Sequence, residues 1–298
     1  MIQNTVTIQL DEIQRENAEE ILEAYGWKEE YVNNPYAKFR MKSPQSSNVI
    51  LYTSGKLVFQ GSEDFTSIIT AIKNNREDES DIIPHLGVDE VGKGDYFGPL
   101  VVVACFLDEE FLEKISSIGI GDSKKFSDSK IMEMYNLVKD YPYFYISIVH
   151  PKEYAQLYKE SKNASILLAR QHSKVIEMGL GDLKSKNIEC GRVVIDQFSS
   201  RKARILNELG NYGKEIELIQ FHKGESDMAV ACASVMARGI FLEEMEKMRK
   251  KYNFNFPKGA SDVIDKGQEF VKKFGVEELG NVAKISFKTT AKVLQTKL

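Results

Sequence analysis

Gly87-Val88-Asp89-Glu90-Val91-Gly92-Lys93-Gly94-Asp95-Tyr96-Phe97-Gly98-Pro99-Leu100 sets two adjacent carboxylates inside an apolar run and closes it with a glycine-rich turn carrying one lysine. Directly after it, Leu100-Val101-Val102-Val103-Ala104-Cys105-Phe106 is an unbroken apolar run of strand type. A buried carboxylate is costly unless it is paired or holds a metal. Two in a row, flanked by Val88 and Val91, therefore point to a cation site within a sheet. Successive strand residues face opposite ways, so Asp89 and Glu90 share an ion only near a strand end, at a bulge or through the longer reach of Glu. The plain alternative is a strand ending in an acidic turn, with Glu90 merely solvated. The Gly92-Lys93-Gly94 turn weighs against it, because glycines let a backbone approach a phosphate closely and Lys93 supplies the countercharge. Its spacing is neither that of a Walker A loop nor of a GxGxxG fingerprint.

Upstream, Asn74 to Asp81 contains no apolar residue and ends shortly before Pro84, which marks a linker. The expected division is a domain over 1–76, a linker over 77–84 and a second domain over 85–298. In the first, residues 3–9 alternate as a half-buried strand does. Residues 11–25 carry helical spacing with Asp11 as N-cap and Gly26 as the stop. Strands are expected over 36–41, 48–53 and 56–60, the last two joined at Ser54-Gly55, and a helix over 64–73. This order resembles one half of the TATA-binding-protein-like fold, a small α+β unit with a curved antiparallel sheet backed by helices. Lys38, Arg40, Lys42 and Lys56 would make one sheet face weakly basic; plain solubilising charge is the alternative.

Downstream, a polar loop over 119–127 enters a helix over 128–139, and Ser123 and Lys124 before that helix are placed to receive a phosphate. Capping by Ser127 or Asp128 is compatible with this. A strand over 143–149 and a helix over 162–177 follow. Arg192-Val193-Val194-Ile195-Asp196 is an apolar strand ending in an aspartate, and in open α/β sheets ligands gather at such carboxyl ends. One more strand over 216–220 leads into Lys223-Gly224-Glu225-Ser226-Asp227, which opens a helix of small residues from Met228 to about Lys251. Glu225 and Asp227 both sit where a helix dipole favours negative charge, and at least one of them is expected to be only a cap.

Asp89, Glu90, Asp196 and one acid at 225 or 227 thus gather on strand ends and a helix start. Oxygen donors without a Cys or His cluster favour Mg2+ or Mn2+ over zinc. Two such ions bridged by an aspartate activate a water and stabilise the leaving oxygen of a phosphodiester, with Lys93, Ser123 and Lys124 steadying nearby phosphates. Residue chemistry leads to a metal-dependent phosphoryl-transfer enzyme, a nuclease, without choosing the polymer. The rest of the chain agrees. Its 298 residues carry 40 Lys and Arg against 44 Asp and Glu, a net charge of −4, so nucleic-acid binding would need a local basic face. Three cysteines without a CxxC read as buried thiols of a reducing cytoplasm. No apolar run reaches membrane-spanning length, no secretory pattern opens the chain, and monomer is the default.

Gly87-Val88-Asp89-Glu90-Val91-Gly92-Lys93-Gly94, Asp122-Ser123-Lys124-Lys125, Val194-Ile195-Asp196 and Ala231-Cys232-Ala233-Ser234-Val235-Met236-Ala237-Arg238 resemble, in this order, the signatures of the type 2 ribonucleases H. The Gly-Lys-Gly turn, where the ribonuclease HII branch usually has Gly-Arg-Gly, and the N-terminal unit resemble the bacterial ribonuclease HIII branch. Lys258-Gly259-Ala260-Ser261 resembles a further segment of that family. The resemblance implies an α/β, ribonuclease H-like mixed sheet with flanking helices behind a substrate-binding N-terminal domain. It implies two-metal hydrolysis of the RNA strand in RNA·DNA hybrids, leaving 3′-hydroxyl and 5′-phosphate ends. Asp89 and Asp196 would be central ligands, Glu90 and Glu225 would complete the site, and the turn 92–94 would contact the ribonucleotide backbone and 2′-OH. Cutting at single embedded ribonucleotides, a DNA-directed nuclease of the wider superfamily and a non-catalytic nucleic-acid-binding protein are the alternatives.

Overall fold

The structure, a computed structural model, describes residues 4–74, 82–121, 126–196, 203–221, 227–259 and 263–295. Its contacts divide the chain into two units, Met1–Asp81 and Ile82–Leu298.

In the first unit β1 (Asn4–Gln9) and α1 (Glu12–Ala24) are followed by β2 (Lys28–Glu30), β3 (Ala37–Lys42), β4 (Asn48–Tyr52), β5 (Lys56–Gly61) and α2 (Thr66–Asn74). The sheet is antiparallel throughout, in the order β1-β5-β4-β3-β2. Asp11 starts α1 as a capping box, accepting from the Gln14 amide at 2.9 Å while the Gln14 side chain accepts from the Asp11 amide at 3.2 Å. Alternation decides which face is buried: Phe39 and Met41, Val49 and Leu51, and Leu57 and Phe59 point into one core with Leu22, Ile68 and Ile72 of the helices. Lys38, Arg40, Lys42 and Lys56 therefore share the opposite face, as their positions in the sequence suggest. Glu30 offsets part of that charge, lying 3.4 Å from Arg40 and 3.7 Å from Lys42. It belongs to β2, a strand absent from the sequence expectation because three residues are too few to display a period.

The second unit is built on a mixed sheet of five strands: β6 (His85–Val91), β7 (Leu100–Leu107), β8 (Phe144–Val149), β9 (Arg192–Asp196) and β10 (Glu217–Phe221), in the order β10-β9-β6-β7-β8. β6 is central, antiparallel to β7 and parallel to β9. The helices are α3 (Glu109–Ile118), α4 (Asp128–Val138), α5 (Pro151–Ser161), α6 (Ala164–Ser185), α7 (Ala203–Glu208), α8 (Met228–Tyr252), α9 (Val263–Phe274), α10 (Val276–Val282) and α11 (Thr289–Leu294). Two cores cover the sheet. Leu86 and Val88 face one that includes Leu168, Val175 and Ile176 of α6. Val101, Val103 and Cys105 face the other, with α8.

α8 lies unusually close to β6, and Gly87 is the reason. A Cβ at position 87 would stand 2.2 Å from the Val230 amide nitrogen and 2.5 Å from the Ala229 side chain. Only glycine admits that approach, and the small residues Ala229, Ala231, Cys232, Ala233 and Ser234 complete it from the helix side. α8 consequently runs alongside β6, meeting it at His85, at Gly87 and at Asp89 in turn.

Candidate active site

Parallel pairing of β6 with β9 runs through His85–Arg192, Leu86–Val193, Gly87–Val194 and Val88–Ile195. The next residue on each strand is an aspartate. Asp89 and Asp196 thus stand at neighbouring strand ends, close enough for the Asp196 charge to act on Asp89. Asp89 points toward α8. It takes a hydrogen bond from Ser234, and its Oδ1 accepts from the Glu90 amide at 2.8 Å. Glu90, one residue on, turns to the α6 side: its Oε2 lies 3.0 Å from His172 Nε2 and its Oε1 accepts from Lys93 Nζ at 2.6 Å. The opposed directions are those of consecutive strand residues, and β6 ends at Val91, directly after Glu90.

The electrostatics divide the two acids. Burial first, then the negative charge of Glu90, push the Asp89 carboxyl up to about 7 from 3.8, with Asp196 adding to the effect and the Ser234 and Glu90-amide hydrogen bonds opposing it. Burial acts on Glu90 in the same sense, but the His172 hydrogen bond and charge and then Lys93 outweigh it and hold Glu90 below its ordinary value. Lys93, desolvated in part, is held above its ordinary value by Glu90, Asp89 and Asp196. Asp89 is thus a buried carboxyl short of positive charge, the kind of oxygen donor whose deficit a hard divalent cation would fill. Among the described residues no three His, Cys, Asp or Glu side chains already form a cation cage, and both oxygens of Glu90 are engaged by Lys93 and His172.

The turn after β6 is shaped for close approach. Gly92 has φ +87°, and a Cβ there would stand 2.1 Å from the Pro99 carbonyl oxygen. The Asp95 amide closes the turn on the Gly92 carbonyl at 3.3 Å. Gly94 stands in open space. The expected phosphate contacts Ser123 and Lys124 lie outside the described residues, as does Glu225. The helix after the first two is firmly set, however: Ser127 caps α4 by accepting from the Lys130 amide at 3.3 Å, and Asp128 pairs with Arg238 at 2.9 Å and with Lys258.

Asp227 is placed and accounted for. Its Oδ1 accepts from the Val230 amide at 3.0 Å, capping α8, and its Oδ2 lies 2.9 Å from His85 Nε2. His85 is four strand residues, roughly 13 Å, back from Asp89, and Ser234, which meets Asp89, is about two helical turns beyond Asp227. Asp227 is therefore the helix cap and stands at the other end of β6.

Two residues at this site are not singled out by the sequence reading. Ser234 is hidden in a run of small residues. His172 is the more detectable, a fully buried histidine on the apolar face of α6 with Leu168, Val175 and Ile176, where a polar side chain needs a partner. If Glu90 holds a metal, His172→Phe is expected to lower kcat by about 10- to 100-fold, the usual effect of losing a ligand's outer partner, with the circular dichroism spectrum unchanged. Wild-type kcat in a folded variant would remove His172 from the site.

The chain is matched by the pattern of the ribonuclease HII family over residues 86–290 and by that of a domain of unknown function (DUF3378) over residues 8–67. It is 34% identical over 269 residues to ribonuclease HIII of Protochlamydia amoebophila, covering 87% of each chain. It is 36% identical to ribonuclease HIII of Chlamydia caviae, covering 85% of this chain and 86% of that one. The crystal structure of Bst-RNase HIII in complex with Mn2+ superposes over 98% of both chains with a TM-score of 0.71 at 25% identity.

Proposed function

The chain belongs to the ribonuclease HII family, on its ribonuclease HIII branch, and from that premise we propose how its residues act. It is a divalent-metal-dependent endoribonuclease that hydrolyses the RNA strand of RNA·DNA hybrids. The observation that carries the mechanism is the β6–β9 register, which stands Asp89 beside Asp196 at the carboxyl ends of two parallel strands. Asp89, Glu90, Asp196 and Glu225 would hold Mg2+ or Mn2+. Bound there, the metal supplies the Lewis acidity that activates a water and stabilises the leaving 3′ oxygen. Ser234 and the Glu90 amide fix the Asp89 carboxylate, and His172 with Lys93 fixes Glu90. The turn at Gly92, Lys93 and Gly94 takes the ribonucleotide, its backbone reaching the 2′-OH, while Ser123 and Lys124 take a neighbouring phosphate. Cleavage leaves a 3′-hydroxyl and a 5′-phosphate.

One gel tests this, with end-labelled duplexes carrying four ribonucleotides or one, each in Mg2+, Mn2+ or EDTA. Metal-dependent cutting of the first and little of the second is expected. Equal cutting of both would move the enzyme to excision of single embedded ribonucleotides, and no cutting of either would overturn the assignment.

The N-terminal unit, with Lys38, Arg40, Lys42 and Lys56 on one sheet face, serves as a substrate-binding domain. A chain beginning at residue 82 is expected to bind hybrid roughly 10-fold more weakly, since every phosphate it no longer neutralises takes away part of the free energy of counterion release. A filter-binding isotherm equal to that of the full chain would assign the unit another role. The enzyme works as a cytoplasmic monomer. Cys105, Cys190 and Cys232 are all free thiols, and no helix among the described residues is long and apolar enough to cross a membrane. Light scattering at a multiple of 33.9 kDa would refute the monomer.

A further inference from the structure

Lys284 is the one lysine among the fully buried side chains of the described residues, at 0% exposure. Its Nζ donates to two main-chain carbonyls, those of Asp95 at 2.8 Å and Gly98 at 2.7 Å. The rings of Tyr154 and Phe287 stand 5.8 and 6.0 Å from the ammonium. The surrounding backbone ties the same two segments together: the Lys284 amide donates to the Tyr96 carbonyl at 2.9 Å, the Gly98 amide to the Val282 carbonyl at 2.9 Å, and Phe97 bridges Ala283. The carboxylate of Asp95 is anchored separately, accepting from the Gly259 amide.

Burying an ammonium on carbonyls is costly, and burial pushes Lys284 down to about 7 against the nearby charge of Asp95. A packing role alone does not call for that cost, because an aliphatic side chain would fill the same space. What an aliphatic side chain cannot do is hold two carbonyls of one segment at a set separation. Asp95 and Gly98 bound the segment that continues from the Gly92-Lys93-Gly94 turn, and the Asp95 amide closes that turn on Gly92.

We propose that Lys284 is a positioning residue for hybrid recognition, its ammonium clamping the Asp95 and Gly98 carbonyls so that the turn at Gly92–Gly94 is already in the shape that takes the ribonucleotide. Lys284 acts through a turn assigned above to the ribonucleotide, and its role rests on that assignment.

The test compares the full-length wild type with Lys284→Met and Lys93→Ala in Mg2+. It measures KM and kcat on the hybrid, the inhibition constant of a DNA·DNA duplex competitor, and Mn2+ affinity by calorimetry. Lys284→Met is expected to raise KM for the hybrid about 10-fold, with the competitor's inhibition constant and the Mn2+ affinity within twofold of wild type. KM unchanged in Lys284→Met but raised in Lys93→Ala would overturn the clamp and leave the turn assignment standing. KM unchanged in both would overturn the turn assignment itself. A parallel weakening toward hybrid, duplex and metal would make Lys284 a purely structural residue. Where Lys284→Met does not fold, hydrogen exchange on the wild type decides. The Asp95, Tyr96 and Gly98 amides are expected to be protected before hybrid is added, and protection that arises only with hybrid overturns the proposal.

Discussion

Asp89→Asn is expected to abolish cleavage and, in EDTA, to make the protein more stable than wild type at pH 8. The first effect follows from the proposed role of Asp89 as a central metal ligand. Lewis-acid stabilisation of a phosphoryl transition state is worth several kcal/mol, which at about 1.4 kcal/mol per factor of ten is roughly a thousandfold or more in rate. The second follows from the direction in which burial and Glu90 move Asp89, from 3.8 up to about 7. Below about pH 4 the carboxyl is protonated in both folded and unfolded chains, and it contributes no slope. Between about pH 4 and 7 the fold keeps the proton and the unfolded chain loses it, so stability falls as pH rises. Above that window the ionised carboxylate costs the metal-free fold on the order of 4 kcal/mol. Asparagine is uncharged and carries no such cost. Thermal melts in EDTA at pH 5 and pH 8 should therefore show the variant gaining on wild type as pH rises. Mg2+ should stabilise wild type more than the variant, because an ion that binds only the fold raises its stability by mass action. Appreciable turnover in the variant would take Asp89 out of the metal site, and parallel melts at both pH values would refute the charge deficit.

The second large effect separates two acids that stand two residues apart in the chain. Glu225→Gln is expected to lower kcat by at least roughly a hundredfold with little change in melting temperature. Asp227→Ala should do the opposite, removing the α8 cap and the His85 contact at a cost of about 1–2 kcal/mol while cleavage stays within a few-fold of wild type. The expectation for Asp227 comes from its geometry, with one oxygen on the Val230 amide and the other on His85. That for Glu225 comes from the matching position in the ribonuclease HIII pattern. Steady-state kinetics and a melt on each variant decide it. A silent Asp227→Ala enzyme with an active Glu225→Gln enzyme would exchange the two roles.

Much of this protein is local, and local patterns are legible in a linear sequence. The acid pair in an apolar strand, the Gly-Lys-Gly turn, the aspartate ending β9 and the small residues of α8 each depend on neighbours a few positions away, so their periods and spacings declare them. The Asp11 capping box and the strand alternation of the N-terminal unit are of the same kind. β2 escapes because three residues carry no period. The contents of both strand faces follow once alternation is known, which is how the basic positions of β3 fall together without any tertiary information.

What the chain alone shows is therefore the order of the acids and the strands that carry Asp89, Glu90 and Asp196. Tertiary structure decided which groups meet. Asp89 stands beside Asp196 because two strands more than a hundred residues apart pair in one register, and a shift of one residue would send either side chain to the other face. Asp227 is a cap because the close packing of α8 on Gly87 sets its first turn against His85 and its Ser234 against Asp89. His172 reaches Glu90 across 82 positions of sequence, and Lys284 reaches the Asp95 and Gly98 carbonyls across 189 and 186. No short-range pattern encodes such pairs: a side chain's partner across the core is chosen by how whole elements pack, and only the folded chain brings the two together.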